Sequence, residues 1–222
     1  MKILAIIPAR SGSKSIKNKN IINYKGKPLI YHSIKVALKS KYIDKVIIST
    51  DSKKYKKIAE EFGAEVPFLR PKKISQDLSV DYDYILHATK FLIKKNYNPD
   101  LVILLRPSTP NRKVKILDEC ISHFIKNVRK YDSLRSISEF NQPAQKLFMI
   151  KNNQLKGFFD KTLRGEYHAC PRQKFPKTFL PNGYIDIIKP NFFLKKNILY
   201  GKMCPFLTEE TLDIDYKEDL EK

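Results

Sequence analysis

The sequence predicts an α/β fold built on a mostly parallel sheet, and three observations predict it. Short apolar runs alternate with longer stretches of helical spacing from the start of the chain to about Asn127. The short runs are apolar at nearly every position, as strands covered on both faces must be. Each is followed at once by polar punctuation, "PARSGSK", "STDS" and "RPSTPNR". In an open parallel sheet ligands bind beyond the carboxyl ends of the strands, so these three loops are where chemistry is expected.

Ile3 to Ile7 is the first strand, apolar throughout. Pro28 to Lys39 follows with Leu29, Ile30, Ser33, Ile34, Ala37 and Leu38 on one helical face, and Pro28 suits a first helical position. Lys45 to Ser49 is the second strand. Asp51 or Ser52 caps a helix that runs to Phe62, where Gly63 ends it. Asp81 to Lys94 reads as a helix, Leu101 to Leu105 as a central strand, and Lys113 to Asn127 as the helix after it. Repeated strand–helix units imply parallel pairing with helices on both faces. From Tyr131 the pattern changes. Leu134 to Ser138, Lys146 to Ile150 and Tyr184 to Ile188 read as short strands of an antiparallel subdomain or arm, and an arm at about 133–182 is expected within a single domain of 1–222.

The 222 residues suit one domain, and 42% hydrophobic against 30% charged residues leaves a sizeable core. A net charge of +20 ordinarily suggests nucleic acid or an anionic membrane. Here the lysines are scattered, as in "KKYKKIAEEFG", where Glu60 and Glu61 share a helix with Lys53, Lys54, Lys56 and Lys57. They read as solvated faces, so neither nucleic acid nor membrane is expected as a partner. Cys120, Cys170 and Cys204 are too few and too far apart for a disulfide framework or a zinc cluster. No apolar run approaches the roughly 20 residues of a membrane span, and the first one is too short for a signal segment. A cytoplasmic protein is the expectation.

The loop after the first strand, "IIPARSGSKSIKNKN", is rich in what an anion needs. Backbone N–H groups leaving a strand end can point at a phosphate, and Gly12 allows close approach. Ser11 and Ser13 add hydroxyls, while Arg10, Lys14 and Lys19 add cations. It is neither a Walker A loop nor a G-x-G-x-x-G fingerprint, and an ordinary basic βα loop would read similarly. Near the far end, "LDIDY" alternates, so in an extended segment Asp213 and Asp215 share a face opposite Leu212 and Ile214. Paired carboxylates suit Mg²⁺, which takes one or two of them together with substrate phosphates; a capping Asp beside a solvated one is the plainer alternative. Together, a phosphate cradle and a carboxylate pair are two halves of a metal-assisted transfer site. Arg172, in a proline-rich loop, suits a substrate carboxylate or a salt bridge. Asn182 and Gly183 read as turn residues.

These motifs, "IIPARSGSKSIKNKN", "STDS", "LRPSTPNR", "PRQKFPKTFLPNG" and "LDIDYKEDL", occur in one order across nearly the whole chain. The ordered set closely resembles the CMP-sialic acid synthetase (acylneuraminate cytidylyltransferase) family. The resemblance implies a Rossmann-like nucleotidyltransferase fold, a homodimer, and Mg²⁺-dependent transfer from CTP to a nonulosonic acid. It puts Arg10, Ser13, Lys14, Lys19 and Asn20 on the CTP loop, with Lys19 at the α-phosphate and Arg10 and Lys14 at the leaving pyrophosphate. It puts Arg70 and the segment from Asp77 at the cytidine. Lys146 and Arg172 fall in the dimerisation arm that contacts the sugar, and Asp213 and Asp215 match the metal-binding aspartates. Three positions depart from the family pattern: Lys17 where proline is common, Ser79-Val80-Asp81 where serines are, and Arg106 where sialic acid enzymes carry glutamine. Arg106 is expected to alter the sugar pocket, which tilts the expected substrate from N-acetylneuraminate towards a legionaminate-like sugar. A cytidylyltransferase for 3-deoxy-octulosonate and a catalytically dead nucleotide-binding homologue are the alternatives.

Overall fold

The computed structural model describes residues 1–159 and 167–221. Strands β1 (Ile3–Pro8), β4 (Lys45–Ser49), β5 (Leu101–Leu104), β6 (Ser133–Phe140), β9 (Thr178–Ile188) and β10 (Met203–Leu207) form one sheet in the order β10-β6-β9-β5-β1-β4. β1 pairs in parallel with both β4 and β5, and β10 with β6. β9 runs antiparallel between β5 and β6. Two small hairpins complete the strands: β2 (Asn23–Tyr24) with β3 (Lys27–Pro28), and β7 (Phe148–Lys151) with β8 (Gln154–Gly157).

The continuous apolar runs are explained by two cores, one on each face. Ile3, Ala5 and Ile7 of β1 and Ile103 of β5 turn to the face covered by α1 (Leu29–Lys39), α2 (Lys53–Glu61) and α4 (Val114–Asn127). Leu4, Ile6, Val102 and Leu104 turn to the other, where α3 (Asp81–Lys94) contributes Tyr84, Ile85, Ala88 and Leu92 and α5 (Pro190–Lys196) contributes Phe193. Alternate side chains of a strand point to opposite faces, so a strand between two helical layers must be apolar at every position. Burying each Ile, Leu or Val among them is worth about 1.5–3 kcal/mol. α2 starts where Ser52 accepts the backbone N–H of Tyr55 at 3.3 Å, and Gly63 leaves it at φ +87°.

Three expectations need correction. Pro28 stands just before α1 with extended geometry rather than opening it, because its backbone pairs with Asn23 in the β2–β3 hairpin. Lys146 ends a 3-10 turn, and the strand starts at Phe148. Residues 133–140 and the end of β9 are not part of a separate arm. They carry Leu134, Ile185 and Ile187 into the main core, and burial on both faces holds them in the central sheet. What departs from the sheet is the stretch with the β7–β8 hairpin; its residues 160–166 lie outside the described residues. Among the described residues no helix is long and apolar enough to cross a membrane.

β9 bends where it leaves the core. Its register with β6 shifts between Arg135 and Ile137, and Gly183 has φ +70°. A Cβ there would lie 2.8 Å from Thr109 Oγ1, so the left-handed backbone and the close approach both call for glycine. At the outer edge, β10 carries Pro205, which offers no backbone N–H to a further strand.

Candidate active site

The loops after β1 and β5 meet Arg70, the turn before α3, the start of α3 and Asp215 around a cleft of about 460 Å³. Its position beyond the carboxyl ends of the parallel strands is the one that this topology favours.

The basic loop is held from both sides. The Ser11 backbone N–H donates to Asp51 Oδ1 at 2.8 Å and its hydroxyl to Asp51 Oδ2 at 3.0 Å. The Asn20 amide donates to the Arg10 carbonyl at 2.9 Å, and Asn20 is buried. Asn18 takes a left-handed backbone at φ 57° and accepts from the Tyr55 hydroxyl at 3.3 Å. With its backbone fixed, the loop turns Arg10, Ser13, Lys14 and Lys19 to the cleft.

Lys19 Nζ lies 2.7 Å from Asp215 Oδ1, across 196 residues of chain. The partner segment is anchored as its alternation predicts. Ile214 is fully buried against Ile16, Tyr24 and Leu29, and its backbone N–H donates to the Ser108 carbonyl at 2.8 Å. Asp215 is therefore presented to Lys19, while Asp213 is exposed and not among the residues lining the cleft. Among the described residues no group of three or more His, Cys, Asp or Glu gathers to hold a metal. An oxygen donor on the cleft wall, with a second carboxylate two residues away on the same extended segment, nonetheless fits a hard divalent ion. Such an ion takes most of its ligands from phosphate and water.

Opposite Lys19, Arg10 Nη1 donates to Asp77 Oδ1 and Lys14 Nζ to Asp77 Oδ2, each at 2.6 Å. The hydrogen bonds from Lys14 and then Arg10 hold the Asp77 carboxyl below its usual pKa. Arg70 lines the same cleft but is itself buried. Its guanidinium donates to the Ser49 carbonyl at 2.6 Å and to the Ser49 hydroxyl at 3.0 Å, and it lies 4.4 Å from the centre of the Tyr84 ring. Desolvation pulls its pKa below the ordinary arginine value.

Arg106 sits between two carboxylates, Asp81 at 2.5 Å and Asp186 at 2.8 Å. Burial alone would lower its pKa; Asp186 and then Asp81 outweigh burial and raise it. Asp186 also accepts from Arg135 Nε at 3.2 Å and the Tyr200 hydroxyl at 2.9 Å. Asp81 in turn accepts from the Tyr84 hydroxyl at 2.7 Å. Arg112 locks the whole loop. It donates to the carbonyls of Tyr184 at 2.6 Å, Gly183 at 2.9 Å and Arg106 at 2.9 Å, and also to that of Thr109.

The cleft thus gathers Arg10, Ser13, Lys14, Lys19, Asn20, Arg70, Asp77, Arg106 and Asp215. It does not gather Lys146 or Arg172. Arg172 borders a separate cleft of about 200 Å³ between the ends of β6 and β9. Sequence reasoning overlooked the holding roles of Asp51, Asp81, Asp186 and Arg112. One signal was available: "YIDII" places an aspartate inside an otherwise buried strand, and a buried carboxylate demands cationic partners.

Comparison with known proteins bears on this geometry. A family profile described as cytidylyltransferase matches residues 4–175. A pseudaminic acid cytidylyltransferase of Campylobacter jejuni is 34% identical over 100% of this chain and 94% of its own length. An N-acylneuraminate cytidylyltransferase of Escherichia coli is 33% identical over 99% of this chain, which spans only 51% of that relative. Among solved structures, a CMP:2-keto-3-deoxy-manno-octonic acid synthetase complexed with CTP superposes with a TM-score of 0.70. It covers 100% of this chain and 96% of its own, at 15% identity, so it speaks to the fold.

Proposed function

Because this chain belongs to the cytidylyltransferase family, we propose that it transfers the cytidylyl group of CTP to the anomeric hydroxyl of a nonulosonic acid and releases pyrophosphate. One observation carries the reading: Lys19 and Asp215, from distant parts of the chain, meet at 2.7 Å on the wall of a cleft that also holds Arg10 and Lys14. Cations for a triphosphate and a carboxylate for its counter-ion share one site.

The reaction asks for positioning and charge neutralisation more than for covalent chemistry. The sugar hydroxyl gives its proton to solvent as its oxygen attacks the α-phosphorus in line, the bond from that phosphorus to the oxygen bridging the β-phosphate breaks, and pyrophosphate leaves. Lys19 donates to the α-phosphate, where negative charge gathers in the transition state, and Arg10 and Lys14 take the leaving group. Ser13 and the backbone pinned by Asp51 and Asn20 orient the chain of phosphates. Arg70 stiffens the wall on the cytidine side through Ser49 and Tyr84. Asp215, with Asp213 in support, would hold Mg²⁺, which supplies charge neutralisation at the phosphates and a lowered pKa for a nearby hydroxyl.

For the sugar we propose the nonulosonate class to which the neuraminate and pseudaminate relatives point. Arg106 supports a legionaminate-like sugar less than its sequence position suggests, because Asp81 and Asp186 already compensate its charge. We further propose a homodimer that places Arg172 and Lys146 at the partner's sugar. Exposed Phe148, Ile150 and Leu155 on the β7–β8 hairpin, with Phe158 just after it, support it as an apolar surface suited to a second copy. The reaction belongs in the cytoplasm, where CTP is found.

The test is pyrophosphate release from CTP and Mg²⁺ with neuraminate, legionaminate, pseudaminate and 3-deoxy-octulosonate. Release with a nonulosonic acid is expected, and no release with any acid would overturn the proposal. Asp215→Ala is expected to lower kcat by about 10²-fold or more, the order of losing one preorganised charge-stabilising group. Near-normal turnover with unchanged circular dichroism would remove Asp215 from the site.

A further inference from the structure

Asp77 stands where a phosphate group would be taken up. The two oxygens of its one carboxylate span two cations, Arg10 and Lys14, each at 2.6 Å. Those are the groups to which the proposed function assigns the leaving pyrophosphate. Asp77 belongs to a small self-closed turn between the 3-10 turn Lys72–Ile74 and α3. Within it, the Gln76 backbone N–H donates to Ser79 Oγ at 2.9 Å and the Ser79 N–H to the Gln76 carbonyl at 3.2 Å. The neighbouring Leu78 is 94% exposed, so it gives the turn no apolar anchor. The described tie between this turn and the basic loop is ionic.

We propose that Asp77 is an internal competitor for the phosphate cradle, lowering its hold on weakly bound anions and hastening the departure of pyrophosphate, and is not a contact to cytidine. The proposal rests on the reading that this cleft takes CTP. A carboxylate tethered beside its cations acts at an effective concentration in the millimolar range or above. An anion that grips Arg10 and Lys14 weakly does not displace it. A triphosphate carries more charge and more acceptor oxygens, and its nucleoside end adds contacts elsewhere in the cleft, so it does. After transfer, pyrophosphate has lost the covalent link to those nucleoside contacts, and Asp77 retakes both cations as it leaves. The low pKa of its carboxyl keeps Asp77 an anion throughout the working range. Lys14 is largely exposed and the Arg10 and Asp77 side chains are 30% and 33% exposed, so the competition is modest, a fold-change of about three to ten.

The experiment is titration calorimetry of the full chain with pyrophosphate, CTP and cytidine, comparing wild type, Asp77→Asn and Asp77→Glu. Asp77→Asn is expected to bind pyrophosphate about threefold to tenfold more tightly, and to be more strongly inhibited by it during turnover. Cytidine, which carries no phosphate, binds wild type and Asp77→Asn alike, and Asp77→Glu returns pyrophosphate affinity towards the wild-type value. Unchanged or weaker pyrophosphate binding in Asp77→Asn, with CTP still bound by wild type, overturns this inference and leaves the proposed function standing. Weaker cytidine binding in Asp77→Asn makes Asp77 a base contact and also overturns it. If wild type binds neither CTP nor pyrophosphate, the proposed function fails and this inference fails with it.

Discussion

Asp186 is only 2% exposed, yet it is a carboxylate on a central strand. It survives there because Arg106, Arg135 and the Tyr200 hydroxyl all donate to it. Removing one partner of a buried ionic group costs more than the intact group contributes, because the remaining charges are left without compensation. Asp186→Asn keeps the shape and removes the charge. It is expected to cost about 3 kcal/mol, read as a lower urea midpoint with an unchanged slope. A loss under about 0.5 kcal/mol would show that Asp81 and solvent suffice for the two arginines. At this scale the sequence was legible where chemistry repeats a pattern. Arg10, Lys14, Lys19 and Asp215 were expected at one site and do share the cleft, which Asp213 does not line. The holding roles were not, because Asp51 and Asp186 act through partners 40 and 51 residues away, which no local pattern displays.

The elements show the same division. Asp81–Lys94 is the helix that its apolar spacing predicts, and β4 is the strand read from "KVIIS". Both are decided by near neighbours. The strands at Leu134–Ser138 and Tyr184–Ile188 read as parts of an arm because their place in the central sheet depends on pairing with each other and with β5, not on their own spacing. The segment 211–215 has no regular structure of its own and is held by one buried side chain, by backbone and hydroxyl hydrogen bonds from Ile214 and Thr211, and by the Lys19 ion pair. Ile214 fills a pocket of Ile16, Tyr24 and Leu29. Ile214→Ala is expected to cost about 2–5 kcal/mol by leaving a cavity. Because the same residue presents Asp215, kcat is expected to fall further than KM rises, under conditions where circular dichroism reports a folded chain. Normal kcat at reduced stability would separate the anchor from the site.

For the molecule as a whole, buried tyrosines set an alkaline limit. Burial raises Tyr55 and Tyr97 to about 12, and it raises Tyr84 and Tyr200 as well. Their folded pKa values lie above the unfolded value of 10.0, so the folded chain stays protonated while the unfolded chain ionises. Stability is therefore full below pH 10 and declines as pH rises from there through the folded values, by at most about 1.4 kcal/mol per pH unit for each tyrosine. Tyr97→Phe provides the check. The Tyr97 hydroxyl is buried with no hydrogen-bond partner among the described residues, and its ring faces Lys2 and Lys45. Phenylalanine keeps the ring, so urea stability at pH 8 is expected to be unchanged or higher, with a shallower decline above pH 10. A less stable variant at pH 8 would mean that the hydroxyl has a partner after all. The pairing of Lys19 with Asp215 has one more consequence, for the timing of biosynthesis. A ribosome that has finished α4 has made the basic loop and three of the six strands of the central sheet, but not the acid that pairs with Lys19. If Asp215 acts as proposed, stalled chains ending at Leu207 are expected to yield none of the product made by chains carried past residue 215, a difference read by pyrophosphate release.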